Sequence, residues 1–140
     1  YMTDKLQELE LESLKDGLLF SGRFYRKPIV IFNSASQCGF TEQFAEFQTL
    51  YQEGNIVPIA LPTNEFGAQE PGDNYELLQF CRTHYNVTFP VCKKTDLNHK
   101  VFKTFGKPDW NFNKYLLDEE HNFVKQFDAR FKPRNLLEHV

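Results

Sequence analysis

The sequence predicts an α/β domain in which a mixed central sheet is flanked by helices. Three observations carry that reading. Ile29-Val30-Ile31-Phe32 is an unbroken apolar run with the length and β-branched content of a strand buried on both faces. Ile56 to Leu61 is a second such run, and between the two Phe44, Phe47, Leu50 and Tyr51 recur at helical spacing. Toward the end, Phe112 to Leu117 and Phe123 to Phe127 flank Asp118-Glu119-Glu120-His121-Asn122 as the arms of a hairpin flank their turn.

The remaining elements follow in order. Leu6 to Leu11 alternates weakly, with Leu9 and Leu11 on one face, and reads as an opening strand. Leu18 to Phe24 is ambiguous. Thr41 is the expected N-cap of the first helix. Pro58 cannot donate to a ladder, so the second strand belongs at an edge or a bulge. Asp73-Asn74-Tyr75-Glu76 carries the side chains of a capping box, opening a helix with Leu77, Leu78, Phe80, Cys81 and Tyr85. A short strand is expected around Val87 to Val91, one or two helical turns within Lys93 to Lys107, and a last helix from Asn135.

Composition bounds the function. The 140 residues read as a single domain over 1–140, and 41% hydrophobic with 16% aromatic residues describes a globular chain. Fifteen Phe against one Trp make the core Phe-rich. A net charge of -3 offers no basic face for nucleic acid. No apolar run approaches the roughly 20 residues of a membrane helix, so stable membrane insertion is not expected. Tyr1 to Leu6 shows no basic stretch leading into an apolar core, so no signal peptide is legible. Three Cys without metal-ligand spacing disfavour both a disulfide scaffold and a metal site. The expected compartment is the reducing cytoplasm.

Asn33-Ser34-Ala35-Ser36-Gln37-Cys38-Gly39-Phe40-Thr41 joins the first buried strand to the first helix. A thiol in such a turn, near the positive end of a helix, has its thiolate stabilised by the dipole and by free backbone N–H groups. Cys38 is therefore a candidate nucleophile. The competing reading is a small apolar residue filling a loop, since free Cys is among the most buried residue types.

The stretch from Asn33 to Thr41 resembles the active-site motif of the glutathione peroxidases, N-x-A-S-x-C-G-x-T, in its cysteine-containing form. Leu61-Pro62-Thr63-Asn64-Glu65-Phe66-Gly67-Ala68-Gln69-Glu70-Pro71-Gly72 is similar to that family's F-P-C-N-Q-F-G-x-Q-E-P-G, and Trp110-Asn111-Phe112 matches its W-N-F. The resemblance implies the thioredoxin-like fold, with a cis bond at Phe89-Pro90. It also implies a thiol peroxidase that reduces hydrogen peroxide or organic and lipid hydroperoxides without a cofactor. By the same resemblance Cys38, Gln69, Trp110 and Asn111 form the catalytic set. A Gln or Asn amide and an indole N–H are the donors that a leaving peroxide oxygen needs. Read without the family, Trp110 would be a core aromatic, and Gln69 and Asn111 ordinary loop amides. Asn64 and Phe66 are supporting residues that brace and pack the loop.

Attack on peroxide leaves a sulfenic acid, which a second thiol reduces. The reductant is either glutathione or an internal resolving cysteine recycled by thioredoxin. Cys81 lies where thioredoxin-dependent members carry their resolving cysteine, although its helical face equally suits a silent core thiol. If Cys81 resolves, its helix must loosen, because a disulfide requires Cα atoms within about 7 Å. Cys92 is expected to be buried and inert.

Several positions depart from the family pattern. Thr63 removes the cysteine usual there, and Glu65 brings a negative charge that would disfavour the thiolate if it faced the sulfur. His121 replaces a usual Gly where φ > 0 is expected. The short segment between Pro90 and Trp110 lacks the loop that tetrameric members use, which points to a monomer. The alternatives are a thiol-based peroxide sensor that passes oxidation to a partner protein, and a non-catalytic binding module. A dithiol oxidoreductase is disfavoured because Cys38-Gly39-Phe40-Thr41 ends in Thr.

Overall fold

The computed structural model describes residues 4–140. Tyr1 to Thr3, which form half of the stretch read for a signal peptide, lie outside the described residues. The chain opens with a small antiparallel pair, β1 (Glu12–Ser13) and β2 (Gly17–Leu18). It continues through β3 (Ile29–Phe32), α1 (Gln43–Glu53), β4 (Val57–Ala60), α2 (Asn74–Tyr85), α3 (Lys100–Phe105), β5 (Lys114–Leu117) and β6 (Phe123–Phe127). The central sheet has the order β4-β3-β5-β6. β3 and β4 run parallel, and β5 is antiparallel to both β3 and β6. This is the expected mixed sheet. Among the described residues no helix is long and apolar enough to cross a membrane.

Alternation along the strands divides the core into two layers. Val30, Phe32 and Leu116 face α1 and α2, meeting Phe44, Phe47, Leu77 and Cys81. Ile29, Ile31, Ile59, Tyr115 and Leu117 face the other way, against Leu6, Leu11, Leu19 and the Val101–Phe102 face of α3. Phe32 centres the first layer, stacked on Phe47 with ring centroids 4.0 Å apart. Pro58 sits on the edge strand, as expected. Val57 and Leu61 donate toward the β3 side, whereas the even-numbered Ala60 donates outward to Pro90, so the missing Pro58 N–H falls outside the β3–β4 ladder.

Five expectations need correction. Leu6 to Leu11 is not a strand but holds a 3-10 turn, Gln7–Leu9, stopped by Glu10 at φ 57. Leu6 and Leu9 are three apart and share one buried face, and the Asp4 carboxylate accepts from the Gln7 N–H at 2.9 Å. Val87 to Val91 forms only a bridge at its end, Val91 to Ala60. The Gln48 amide occupies the would-be ladder by bonding the Thr88 N–H and hydroxyl at 2.9 and 2.7 Å. The Phe89–Pro90 bond is trans, the form that X–Pro favours by about 0.5–1 kcal/mol. The first helix is capped by Glu42 without a side-chain bond, because Thr41 is engaged elsewhere. The terminal helix is a 3-10 segment, Pro133–His139, which Pro at its first position starts earlier than Asn135. His121 does adopt φ 65, and its Nε2 lies 3.1 Å from the Phe24 carbonyl.

The capping box of α2 is complete: Asp73 accepts from the Glu76 N–H at 2.9 Å, and Glu76 accepts from the Asp73 N–H at 3.3 Å. Only Leu77 and Cys81 of this helix are buried. A lightly anchored helix leans on its cap, so Asp73→Ala is expected to cost about 1 kcal/mol. Denaturant titration measures that loss, and amide exchange should accelerate within α2 before it does elsewhere.

Candidate active site

Three loops meet at one end of the sheet. β3 and β4 deliver their C-terminal ends there, and antiparallel β5 begins there. Cys38 follows β3 in a turn closed by the Thr41 N–H bonding the Cys38 carbonyl at 3.1 Å. Instead of capping α1, the Thr41 hydroxyl accepts from the Cys38 N–H at 3.0 Å and donates to the Ala35 carbonyl at 2.8 Å. The turn is thus pinned on both sides of the cysteine. Cys38 is 9% exposed, and its Sγ accepts from the Phe40 N–H at 3.5 Å. Local turn geometry, rather than the first turn of α1, supplies the donor to the sulfur.

The loop after β4 brings up Gln69. Its carbonyl accepts from the Gln37 N–H at 2.9 Å, one residue before Cys38. Gly67 and Ala68 both adopt positive φ, at 65° and 49°. A Cβ on Gly67 would stand 3.1 Å from the Trp110 ring, so glycine permits both the turn and the indole above it. Phe66 packs against Trp110, with centroids 5.7 Å apart. The Asn64 side chain accepts from the Glu70 N–H at 2.9 Å and braces the loop. Glu65 is exposed, and Thr63 is fully buried.

Asn111 is fully buried. Its amide donates to Gln69 Oε1 at 3.0 Å and to the Phe66 carbonyl at 3.2 Å. Gln69, Asn111 and Trp110 therefore share one cluster beside the Cys38 turn. None of the three hydrogen-bonds to Sγ, and the Phe40 N–H alone does so among the described residues. Among the described residues the Gln69 amide nitrogen and the Trp110 indole nitrogen find no hydrogen-bond partner, and neither is sealed from the surface.

Residues 7–106 match the family model described as glutathione peroxidase. The chain belongs to the glutathione peroxidase family. It is a thiol peroxidase, consuming a hydroperoxide and a thiol reductant. The chain is 34% identical to glutathione peroxidase-like peroxiredoxin 2 of Saccharomyces cerevisiae, over 96% of this chain and 94% of that protein. It is 37% identical to the hydroperoxy fatty acid reductase gpx1 of Synechocystis, over 79% of this chain and 78% of that one. The fold is similar to the apo crystal structure of Trgpx, with a TM-score of 0.70 at 21% identity over 100% of this chain and 94% of that one. A thioredoxin-like protein from Aeropyrum pernix superposes with a TM-score of 0.71 at 11% identity, over 93% and 88% of the two chains. The thioredoxin-like fold is thereby established.

Within this peroxidase the two other thiols differ from Cys38. Cys81 and Cys92 are each 1% exposed. Burial pushes the Cys81 thiol up to about 12, and Glu70 adds to the effect. Burial, reinforced by Glu12, does the same to Cys92.

Sequence reading passed over two residues that organise the site. Asn33 opens the first motif, and its amide donates to the Trp110 carbonyl at 2.8 Å while its Oδ1 accepts from the Asn113 N–H at 2.8 Å. Its signal was an amide set directly after an apolar strand. Glu70, in the second motif, is 1% exposed, and its Oε1 accepts from the Ser36 hydroxyl at 2.6 Å. Among the described residues Glu70 Oε2, Asn111 Oδ1, Ser34 Oγ, Thr63 Oγ1 and Gln43 Oε1 are buried without partners, and all but the last belong to the three motifs.

Burial pushes the Glu70 carboxyl up from 4.5 to about 7, opposed by the Ser36 hydroxyl and by Lys94. The folded state therefore holds a proton that the unfolded state has released between about pH 4.5 and about 7. The stabilisation from this group is complete below that window and is lost as pH rises through it. Glu70→Gln cannot titrate. Its unfolding free energy relative to the parent is expected to grow by about 2–3 kcal/mol across the window, read by denaturant titration at several pH values.

Proposed function

We propose that Cys38 is the peroxidatic sulfur, that Gln69, Trp110 and Asn111 bind and polarise the hydroperoxide beside it, and that Cys81 resolves the oxidised product. The observation that carries this reading is the cluster itself: Asn111 bonded to Gln69, and Gln69 bonded to the residue next to Cys38. The Cys38 thiolate attacks one peroxide oxygen. A S–O bond forms, the O–O bond breaks, and the leaving oxygen takes a proton to become alcohol or water. The unengaged Gln69 and Trp110 nitrogens suit a leaving oxygen, while the Asn111 bond to Gln69 Oε1 orients the Gln69 amide. Asn64 and Phe66 brace the loop that carries Gln69.

Resolution follows from burial. A thiol pushed to about 12 is only about one part in a hundred thousand thiolate at neutral pH, too little for rapid attack. α2 must loosen before the Cys81 thiolate displaces hydroxide from the Cys38 sulfenic acid, forming the disulfide and, with a proton, water. Its shallow burial permits this at low cost. The disulfide is then reduced by a thioredoxin-type dithiol, with glutathione as the competing donor. The enzyme names of the yeast and Synechocystis relatives favour continuous turnover over a sensor that is oxidised once. We read the chain as one monomeric domain over 1–140, working in the reducing cytoplasm with its three cysteines free.

Peroxide consumption, measured with thioredoxin and with glutathione for the parent, Cys38→Ser and Cys81→Ser, tests the assignment. Cys38→Ser is expected to lose both rates, and Cys81→Ser only the thioredoxin-supported one. Peptide mapping after one equivalent of peroxide should recover a Cys38–Cys81 bridge. A lasting sulfenic acid with no bridge rejects Cys81.

A further inference from the structure

Lys114 is a fully buried lysine at the start of β5, paired across the sheet with Phe32 and Phe127. Its Nζ donates to the Phe112 carbonyl at 2.8 Å, to Ala129 at 3.1 Å and to Asp128 at 3.2 Å. An ammonium has three N–H donors, and all three are used. A neutral amine would offer only two, leaving its lone pair against the third carbonyl. The cage therefore fits the charged form.

The Phe112 carbonyl is the informative partner. Phe112 directly follows Trp110 and Asn111 and stands at φ 63, a conformation that a bulky residue adopts only when its surroundings impose it. Its N–H is fixed by the Asn33 carbonyl at 2.6 Å, and its carbonyl by Lys114. Its ring is locked between Phe32 and Phe44. The far side of the cage is tied to α1, because the Ala129 carbonyl also accepts from the Gln43 amide at 2.7 Å.

We propose that Lys114 is a positioning residue for the peroxidatic step, its ammonium holding the left-handed Phe112 turn that sets Trp110 and Asn111 against Cys38. The inference rests on Trp110 and Asn111 belonging to the site. It carries a pH dependence opposite to that of a thiol nucleophile, whose reactive form gains as pH rises. Burial pushes Lys114 down to about 7, opposed by Asp128 and by Glu46 of α1. The other charged groups around the cage are engaged elsewhere. Arg134 pairs with Glu53 and its N–H bonds Glu46, Lys125 lies over the Phe127 ring, and His139 packs on that ring's edge. As pH climbs from about 7 the clamp is lost and the turn relaxes.

Trp110 is the single tryptophan, so its emission and indole N–H shift report on this turn without labelling elsewhere. The experiment follows Cys38 oxidation by hydrogen peroxide in a single turnover, with no reductant added, together with the Trp110 signals and the Lys114 ε-carbon shift across neutral to alkaline pH. In the parent the Trp110 signals are expected to titrate with the Lys114 ε-carbon, and the rate per thiolate to fall about tenfold on the alkaline side. Lys114→Met should show the relaxed Trp110 signal and the low rate at every pH. A parent protein in which Lys114 titrates while Trp110 stays silent overturns the proposal without recourse to any variant. So does a folded Lys114→Met with the parent rate and profile. If Trp110→Phe keeps the parent rate, the site assignment falls and the proposal falls with it. A silent Trp110 in an enzyme that Trp110→Phe does cripple removes the proposal alone.

Discussion

The site depends on one asparagine at the end of β3. Asn33 ties the strand that delivers Cys38 to the turn that delivers Trp110 and Asn111 through four hydrogen bonds. Its amide holds the Trp110 carbonyl, its Oδ1 the Asn113 N–H, its carbonyl the Phe112 N–H, and its own N–H the Asn113 carbonyl. Made, each such bond contributes about 1 kcal/mol, whereas a buried partner left unmade costs about 1–3 kcal/mol. The two strands are already neighbours in the sheet, so Asn33 continues their ladder past the point where regular pairing stops. It fixes the relative height of segments that lie far apart in the chain. A peroxide site needs that height fixed, since a nucleophile and its donors act only when held together.

The opposite property belongs to α2. It carries a complete capping box and a left-handed stop at Asn86, yet it buries only two side chains. Local signals define the helix, and Leu77, Cys81 and the partly buried Phe80 and Tyr85 hold it to the core. In the mechanism we propose, α2 is the element that opens to release Cys81. The Cys38 turn and α2 meet at Glu70, which bonds Ser36 of that turn and raises the Cys81 thiol. Lys94 fastens the same corner by donating to the Glu70 and Gly72 carbonyls, while its own N–H reaches Asn74 in the first turn of α2. The corner is therefore held by polar bonds, which can exchange with water, rather than by buried apolar area.

The legible parts of the fold were those with a strong local signature. Ile29–Phe32 and Val57–Ala60 are apolar enough that only a buried strand suits them, and Asp73 with Glu76 spells out a cap. The three motifs marked the loops that converge, and Cys38, Gln69 and Asn111 do lie in neighbouring segments. Two of the misreadings come from side chains that are engaged in bonds of their own. Thr41 was claimed by Cys38 and Ala35 before it could cap α1, and Gln48 took the backbone that Val87 to Val91 would have offered to a ladder. Thr41 finds its partners within its own motif, whereas Gln48 and Thr88 are far apart in the chain and meet only in the fold. Lys114 was the subtler omission. It alternates with Phe112 and Leu116 on the inward face of a strand, and a lysine in that register is itself the clue.

Glu70 and Lys114 explain why a Phe-rich core tolerates charge at all. Burying an unpaired charge is expensive, and each of these groups is pushed toward its neutral form. Their surroundings answer differently. Lys114 is surrounded by carbonyls that use every proton of its charged form, whereas Glu70 has one hydroxyl donor and an oxygen without a partner. The first arrangement resists rearrangement because any movement breaks three bonds at once. The second loses little when it moves. In the mechanism we propose, the rigid clamp stands behind the turn that holds still while the O–O bond breaks, and the weak one stands at the helix that opens for Cys81. On that proposal, buried polarity follows the order of the two chemical steps.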